Sequence, residues 1–589
     1  MPISANSNTA SNLASYNRFL LMVAGLGGLL YGIDVGIIGG ALPYLQATSK
    51  LTPSELSIVV AAVLLGSVIS TLFAGLLADW MGRKPLMILS GLAFTLSVPV
   101  IALSQGYEAL LLGRLLQGVS GGLVGVVVPL YLAECLSAKD RGRGTGIFQW
   151  LLTLGIFAAA LIGVYYSYHV AEIAKAGSAD ALFNAKNDAW RRIFWMSMPP
   201  GLLFVLGGFF VTESPRWLYR RGKTAQAKAA LLRSRTPEQA ELELSEMGQI
   251  AADGLRQPGV TRDDSLFRRR YVLPFLLACV ILACNTATGI NSVIAYNTDL
   301  LLQSGLSDVL AHWGYVVFTA MNFLMTIVGM TLVDRKGRKF LFTVGTSGII
   351  VSMVAVGVLF VRSEAHRVDF RDAVQPMVTA DQSLDFNPNR TAFWKVPGQD
   401  ISVSEVRSLA IIYSYGDFSG STTPVRSNDP AAPAIEVKRS DLLPSGKVEA
   451  FFRNPFADLD AARTAPLKIE HAYLSPVPSA LNGWLVAIFL YSFVAFYAMG
   501  PGVCVWLALS ELMPTRIRSN GMSIALVINQ MVSTTLAGIF LPVVGKYGYS
   551  SMFFLFAGTT VIYLITVVFF LPETKGKTLE EIEKHFEAA

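Results

Sequence analysis

Charge is scarce in this 589-residue chain: Asp, Glu, Lys and Arg together make up 15% of it, against 53% hydrophobic residues, and the mean hydropathy is +0.50. That balance excludes a soluble globule and leaves an integral membrane protein. Cysteine is nearly absent. The four present, Cys135, Cys279, Cys284 and Cys504, fall in or at the ends of apolar segments without metal-ligand spacing. Neither a disulfide framework nor a metal site is expected from them, and they read as small packing residues. Residues 1 to 17 are polar and weakly charged and lead into an apolar run of full membrane length, so no cleavable signal peptide is expected. The net charge of +6 lies in short loops and does not form a nucleic-acid patch.

Twelve segments are long and apolar enough to span a bilayer core, which takes about 20 residues. Their expected limits are 18–43, 55–78, 85–105, 110–135, 143–168, 193–212, 272–303, 310–333, 339–361, 481–510, 519–543 and 549–571. Lys and Arg are retained on the cytoplasmic side in short loops. Arg83, Lys84, Lys139, Arg141, Arg143, Arg335, Lys336, Arg338, Lys339, Arg516 and Arg518 all follow even-numbered segments, whereas the opposite short loops hold little beyond Lys50, Lys175, Lys186 and Lys546. Both termini are therefore expected in the cytoplasm.

The chain repeats itself. DWMGRK at 79–84 returns as DRKGRK at 334–339; Glu134 precedes Arg141 by seven positions, as Glu511 precedes Arg518; Glu213-Ser214 is echoed by Glu573-Thr574. Two like halves with charged loops on one side are the plan of a secondary transporter whose substrate crosses between repeats. The expected division is a six-helix half (1–215), a cytoplasmic linker (216–271), helices seven to nine (272–361), an insert (362–479), and helices ten to twelve with a tail (480–589). The linker reads as amphipathic helices at Thr224 to Arg233 and Pro237 to Ala251. The insert follows from arithmetic: Asp79 to Glu134 spans 55 positions and Asp334 to Glu511 spans 177. It is polar and Pro-rich, and its 13 Lys and Arg do not oppose an extracytoplasmic placement, because long loops cross regardless of charge. Ile401 to Tyr415 has β-like character, without a regular period that would define a fold. The twelve helices are complete without the insert, which is expected to be dispensable for transport unless it covers the outer mouth.

Asp34 lies well inside the first apolar segment, where a charge costs roughly 2.5 to 3.5 kcal/mol and needs an interior partner. Arg114, the only basic residue deep in a span, is the candidate. A carboxylate that gains and loses such a partner as the protein rocks would couple a proton to transport; the alternative is a permanent ion pair fixing helices one and four. The glycines around it, Gly27, Gly28, Gly32, Gly36, Gly39 and Gly40, read as close-packing positions. Asp79, Arg83, Glu134, Arg141, Glu213 and Arg216, mirrored by Asp334, Arg338, Glu511 and Arg518, are read as a cytoplasmic gate network whose pairs form on closing and break on opening. Exposed pairs are worth only about 0 to 1 kcal/mol each, so the network would act in concert.

The strings GLLADWMGRK, GRLLQGVSGG, PLYLAECLSAKDRGRG, TESPRWL, TGINSVIAY, LVDRKGRK, GPGVCVW, SELMPTRIR and PETKGKTLEEIE, in this order, resemble the sugar porter family of the major facilitator superfamily over nearly the whole chain except the insert. The resemblance implies an all-α membrane protein with the major facilitator fold and a pocket of uncharged hydrogen-bonding side chains and aromatics, which suits a polyol. It places Tyr31, Gln149, Asn291, Asn322, Trp506 and Asn529 at substrate positions. The chain departs from the family where Asn285-Thr286 replaces paired glutamines, Ala295-Tyr296 replaces tandem tyrosines, Gln530 stands for a common Trp, and Thr212 and Ser137 stand for prolines. Asn285 and Thr286 thus shorten both side chains at the site.

The expected function is proton symport of a hexose or pentose by alternating access across a bacterial-type inner membrane, with no covalent chemistry. The alternatives are a facilitative uniporter and a non-transporting sugar sensor. The expected partners are the monosaccharide, protons and the lipid bilayer; no cofactor, metal or nucleic acid is implied.

Overall fold

The computed structural model describes residues 6–136, 141–175, 178–256, 269–388, 394, 406–429, 434–444, 446–447, 450, 457–513, 518–573 and 586. Among them are twelve helices long and apolar enough to cross a membrane: Leu13–Thr48, Pro53–Met81, Arg83–Ala102, Tyr107–Cys135, Gly146–Lys175, Ala179–Phe210, Tyr271–Gln303, Asp308–Val333, Arg338–Glu364, Ala480–Trp506, Gly521–Tyr547 and Tyr549–Phe570. The protein is a multi-pass membrane protein with a bundle of spans in two halves. Their outer surface is apolar, with Leu76, Trp80, Phe210 and Phe569 exposed, as a bilayer requires.

The sixth span begins 14 residues before the expected Ile193, at Ala179. Its first helix, Ala179–Trp195, carries Asp180, Lys186, Asp188, Arg191 and Arg192 and then kinks into Met198–Phe210. Spans seven and ten are also broken: Gly289 adopts φ 87° between Arg269–Ala287 and Ile290–Gln303, and Gly500 separates Ala480–Met499 from Pro501–Leu512. Interrupted helices leave backbone groups and side chains free at membrane depth, which is where transporters place substrate sites.

Spans one and five pack through small residues. A Cβ at Gly28 or Gly32 would run into the backbone carbonyl of Phe148 or Leu152, and Gly40 lies against Gly163. The glycines of the first span therefore serve backbone approach, as small-residue spacing predicts.

Three short helices, Pro215–Arg220, Thr224–Leu232 and Pro237–Arg256, follow the sixth span. At the opposite end of the bundle, between spans nine and ten, the all-α pattern gives way to a β-fold. Strands β1 (Val368–Asp369), β3 (Arg407–Tyr415), β4 (Phe418–Ser421), β5 (Val425–Arg426) and β7 (Leu467–Pro476) form one sheet in the order β1-β7-β3-β4, with β5 also on β3. Strands β2 (Leu384–Phe386) and β6 (Ile435–Val437) form a second, two-stranded sheet. All pairings are antiparallel, and the β3–β7 register shifts between Ile412 and Tyr413. The insert has its own core, built from Leu409, Ile411, Tyr413, Ile469 and Leu474 with Val374 and Val437.

Candidate functional site

Asp34 is 1% exposed, and neither carboxylate oxygen has a hydrogen-bond partner. It faces the fourth span, with Oδ2 against the α-carbon of Gly121, where any side chain would displace it. Arg114, also 1% exposed, is near enough for its charge to act on Asp34, yet the two make no ion pair. Its Nη1 donates instead to Gln117 Oε1 at 2.6 Å, Nε is unpartnered, and its guanidinium lies 5.7 Å from the Phe194 ring. The permanent ion pair allowed by the sequence is therefore not what the structure holds. Gln117, one turn below Arg114, was not anticipated.

The residues expected at the substrate site divide into two groups. Thr286 Oγ1 donates to the Asn529 carbonyl at 3.1 Å, and Asn529 Nδ2 donates to the Leu282 carbonyl at 2.8 Å. Both are buried, and together they clamp span seven to span eleven, which is the work of interhelical amides in lipid. Asn285 Nδ2 donates to Tyr497 Oη at 3.1 Å while its Oδ1 stays unpartnered, and Asn291 Nδ2 donates to Ser533 Oγ at 2.7 Å. These two asparagines flank the break in span seven. Asn322 is 8% exposed, Gln149 is half-buried and Trp506 is exposed. Tyr31, half-buried, meets Gln530 of the eleventh span, so the two halves touch beside Asp34. Tyr497 and Ser533 were missed by sequence reasoning. Ser533 lies one helical turn beyond Asn529, a spacing that would have shown it.

The charged repeats build one device in each half. Arg83, 2% exposed, binds Glu134 through two hydrogen bonds of 2.8 and 2.9 Å and Asp79 at 3.0 Å, and Nη1 also donates to the Ala78 carbonyl. Ser214 donates to the same Glu134 carboxylate, and Arg220 approaches it at 3.4 Å. Arg216, expected in this network, is exposed and takes no part; Ser214 reaches Glu134 from the helix start, and the second cation comes from the helix end. In the other half Arg338 Nη2 donates to Glu511 Oε1 at 2.9 Å. The side chains of Arg141, Asp334 and Arg518 lie outside the described residues.

Glu213 accepts the backbone N–H groups of Arg83 and Lys84 at the start of the third span, and Glu573 does the same for Arg338 and Lys339 at the ninth. Burial pushes the Glu213 carboxyl up from its ordinary range, and the N–H groups of Ser214, Lys84 and Arg83 oppose that shift. The glycine of each repeat is required here: Gly82 and Gly337 have φ of 104° and 89°, and a Cβ at either would strike the capping carboxylate. All of these pairs are internal to one half, so they stitch spans within a half.

At the insert end the halves are joined. Tyr44 Oη donates to Asp308 at 2.7 Å, Tyr315 Oη donates to the Gly36 carbonyl at 2.9 Å, and Trp313 Nε1 donates to Tyr168 at 3.1 Å. Ser57 Oγ lies 3.2 Å from Tyr296 Oη and accepts the Leu541 N–H, while the Tyr296 ring stacks on Phe540 at 4.2 Å. Tyr296, the remnant of the tandem tyrosines, is thus part of this closure. The insert lies over it and encloses a cavity of about 110 Å³ lined by Gln46, Asp299, Arg367, Arg426, Tyr473 and Tyr549 among others. Lys186 pairs with Asp429 of the insert at 2.7 Å, and Arg426 donates to the Leu302 carbonyl. Burial lowers the Arg426 guanidinium from its usual range, opposed by the charge of Asp299.

The profile of the family described as Sugar (and other) transporter matches residues 20–378 and 468–586. The chain belongs to the sugar porter family of the major facilitator superfamily. It is similar to the proton myo-inositol cotransporter of Homo sapiens, 26% identical over 586 residues covering 95% of this chain and 80% of that protein. It is also similar to the glucose transporter GlcP of Staphylococcus epidermidis, at 25% identity over 96% of this chain and 97% of that one. In three dimensions it resembles the inward open conformation of the xylose transporter XylE from E. coli, with a TM-score of 0.62, 20% identity, and coverage of 96% and 98% of the two chains. This sugar transporter differs from the family profile where residues 379–467, most of the β-insert, have no counterpart in it.

Proposed function

We propose that this sugar porter imports a monosaccharide by proton symport across a bacterial-type inner membrane. The basic end and both termini are cytoplasmic in this reading, and the insert is outside. The observation that carries it is Asp34: a carboxyl group buried with both oxygens unpartnered, while the nearby Arg114 is turned to Gln117. A fixed charge there would have neither a direct ion pair nor a hydrogen bond, and taking up a proton removes it. Hydrogen bonds of Tyr44, Ser57, His312, Trp313 and Tyr315 join the halves at the insert end, which supports an outside-closed member of an alternating-access cycle. The name of the human relative, a proton-coupled carrier of a cyclic polyol, agrees with both the proton and the hydroxyl-rich substrate.

The sugar is met by Gln149, Asn285, Asn291, Asn322, Tyr31 and Trp506. Thr286 and Asn529 act by holding spans seven and eleven. Gln149→Ala and Asn291→Ala should each weaken binding by about 1 to 3 kcal/mol, roughly 5- to 150-fold, in calorimetry with xylose, glucose, galactose and myo-inositol. Wild-type affinity in both variants would move the pocket elsewhere. Asn529→Ala, in contrast, should lower the melting temperature more than the affinity.

The insert supplies none of these side chains. Replacing the whole insert, residues 362–479, by a short Gly/Ser linker should leave gradient-driven uptake in place, because its core is its own and is removed with it. Folded, membrane-inserted protein without sugar flux would instead make the insert an obligatory lid.

A further inference from the structure

The eighth span meets the first through three residues about one turn apart, Asp308, His312 and Tyr315, set against Tyr44, Gly40 and Gly36. His312 sits in the middle, 0% exposed, its ring stacked on Tyr44 at 5.3 Å and 13°. Both ring nitrogens face oxygen acceptors. Nδ1 is 2.9 Å from the Asp308 carbonyl and 3.3 Å from its Oδ1; Nε2 is 3.1 Å from the Gly40 carbonyl. A neutral imidazole has one N–H, so in either tautomer one nitrogen would aim a lone pair at a carbonyl oxygen, which cannot donate. Only the imidazolium satisfies both contacts, and the Asp308 carboxylate beside it balances the charge.

We propose that His312 is a second proton-binding site, filled when the insert-end closure between the first and eighth spans is made. From its own helix it meets Asp308; from the first span, Tyr44 and the Gly40 carbonyl; from the fifth, Gly163, where a Cβ would press on the ring. Lys186 and Arg426 bear on Asp308. When the halves part at this end, the Gly40 carbonyl leaves and water replaces it, so the second N–H is no longer demanded. Protons therefore favour the closed outer gate: lowering the external pH should shut it, and raising the pH should release it. This coupling to the gate rests on the alternating-access reading above, whereas the protonation itself rests on the geometry alone.

The direct test is solid-state NMR of the full-length protein in lipid bilayers, with ¹⁵N-labelled histidine and glycine labelled with ¹³C at the carbonyl. The chain has five histidines, and His312 is identified by transfer from Nε2 to the Gly40 carbonyl. Both of its ring nitrogens should carry protons at pH 7.5, where an ordinary histidine, titrating at about 6.5, is mostly neutral. A bare ring nitrogen in the species correlated to Gly40 would overturn the proposal. The measurement needs no variant. A second arm follows the distance between spin labels at Lys50 and Tyr547, on the outer ends of the two halves. The wild type should shift toward the short distance as pH falls from 8.5 to 5.5, and His312→Gln should lose most of that shift. An equal shift in the variant would remove His312 from the gate. Failure to take up any sugar would sink the transport reading and leave the ¹⁵N result standing.

Discussion

Asp34→Asn should abolish uphill sugar accumulation while leaving exchange of sugar across the membrane in place. The substitution keeps the size and hydrogen-bonding capacity of the side chain and removes only the group that can be charged. One proton moving through 100 mV supplies about 2.3 kcal/mol, and with about 1.4 kcal/mol per tenfold that drives roughly fortyfold accumulation. The variant should fall to equal concentrations on the two sides. Counterflow, in which labelled sugar enters against unlabelled sugar inside, needs no proton and should persist. Arg114, whose nearest polar partner is now Gln117, should be needed at another stage: its replacement leaves Asp34 without a cation to meet when the carboxyl gives up its proton. Uphill accumulation by Asp34→Asn at the wild-type level would remove Asp34 from the coupling.

Arg83→Ala should be the most damaging change outside the pocket. Read from sequence, the loop charges are exposed pairs worth up to about 1 kcal/mol each. The structure buries this one, with Arg83 at 2% and Glu134 at 9% exposure. Removing one member of a buried pair leaves the other uncompensated, at a cost of about 3 to 5 kcal/mol. Lys at the same position cannot reproduce the two-pronged contact with Glu134. The expected result is a fall of several degrees in the unfolding midpoint of purified protein, with a smaller further loss when Glu134→Gln is added. A loss near 1 kcal/mol or less would show that Arg220 and solvent compensate fully.

Which parts could be read in the sequence follows from the physics of each. All twelve spans stand out because lipid requires long apolar runs, and the sixth starts earlier than expected because its charges find partners: Lys186 pairs with Asp429, and Arg191 lies 4.3 Å over the Trp190 ring. The DxxGRK repeats were legible because a positive φ and a capping carboxylate demand Gly and Glu at fixed places. The β-insert was legible only as β-like character at Ile401 to Tyr415, where β3 forms; its fold was not, since the last five residues of β3, Ile411 to Tyr415, are all buried and lack the alternation that marks a half-exposed strand. The family resemblance placed Asn529 and Thr286 among the expected sugar contacts, yet position in a motif cannot tell a polar side chain that meets substrate from one that bonds a neighbouring helix. His312 escaped notice because its role depends on a carbonyl of another helix, 272 residues away in sequence.

The central claim, proton-driven monosaccharide import, is met most directly by purified protein in liposomes. An inward-directed pH gradient is imposed, and uptake of xylose, glucose, galactose and myo-inositol is followed with and without a protonophore. The account predicts accumulation of at least one of these above the external concentration, accompanied by proton entry and lost when the gradient is collapsed. Uptake that stops at equal concentrations whatever the gradient would make the protein a uniporter, and binding without flux would make it a sensor; either result contradicts the account.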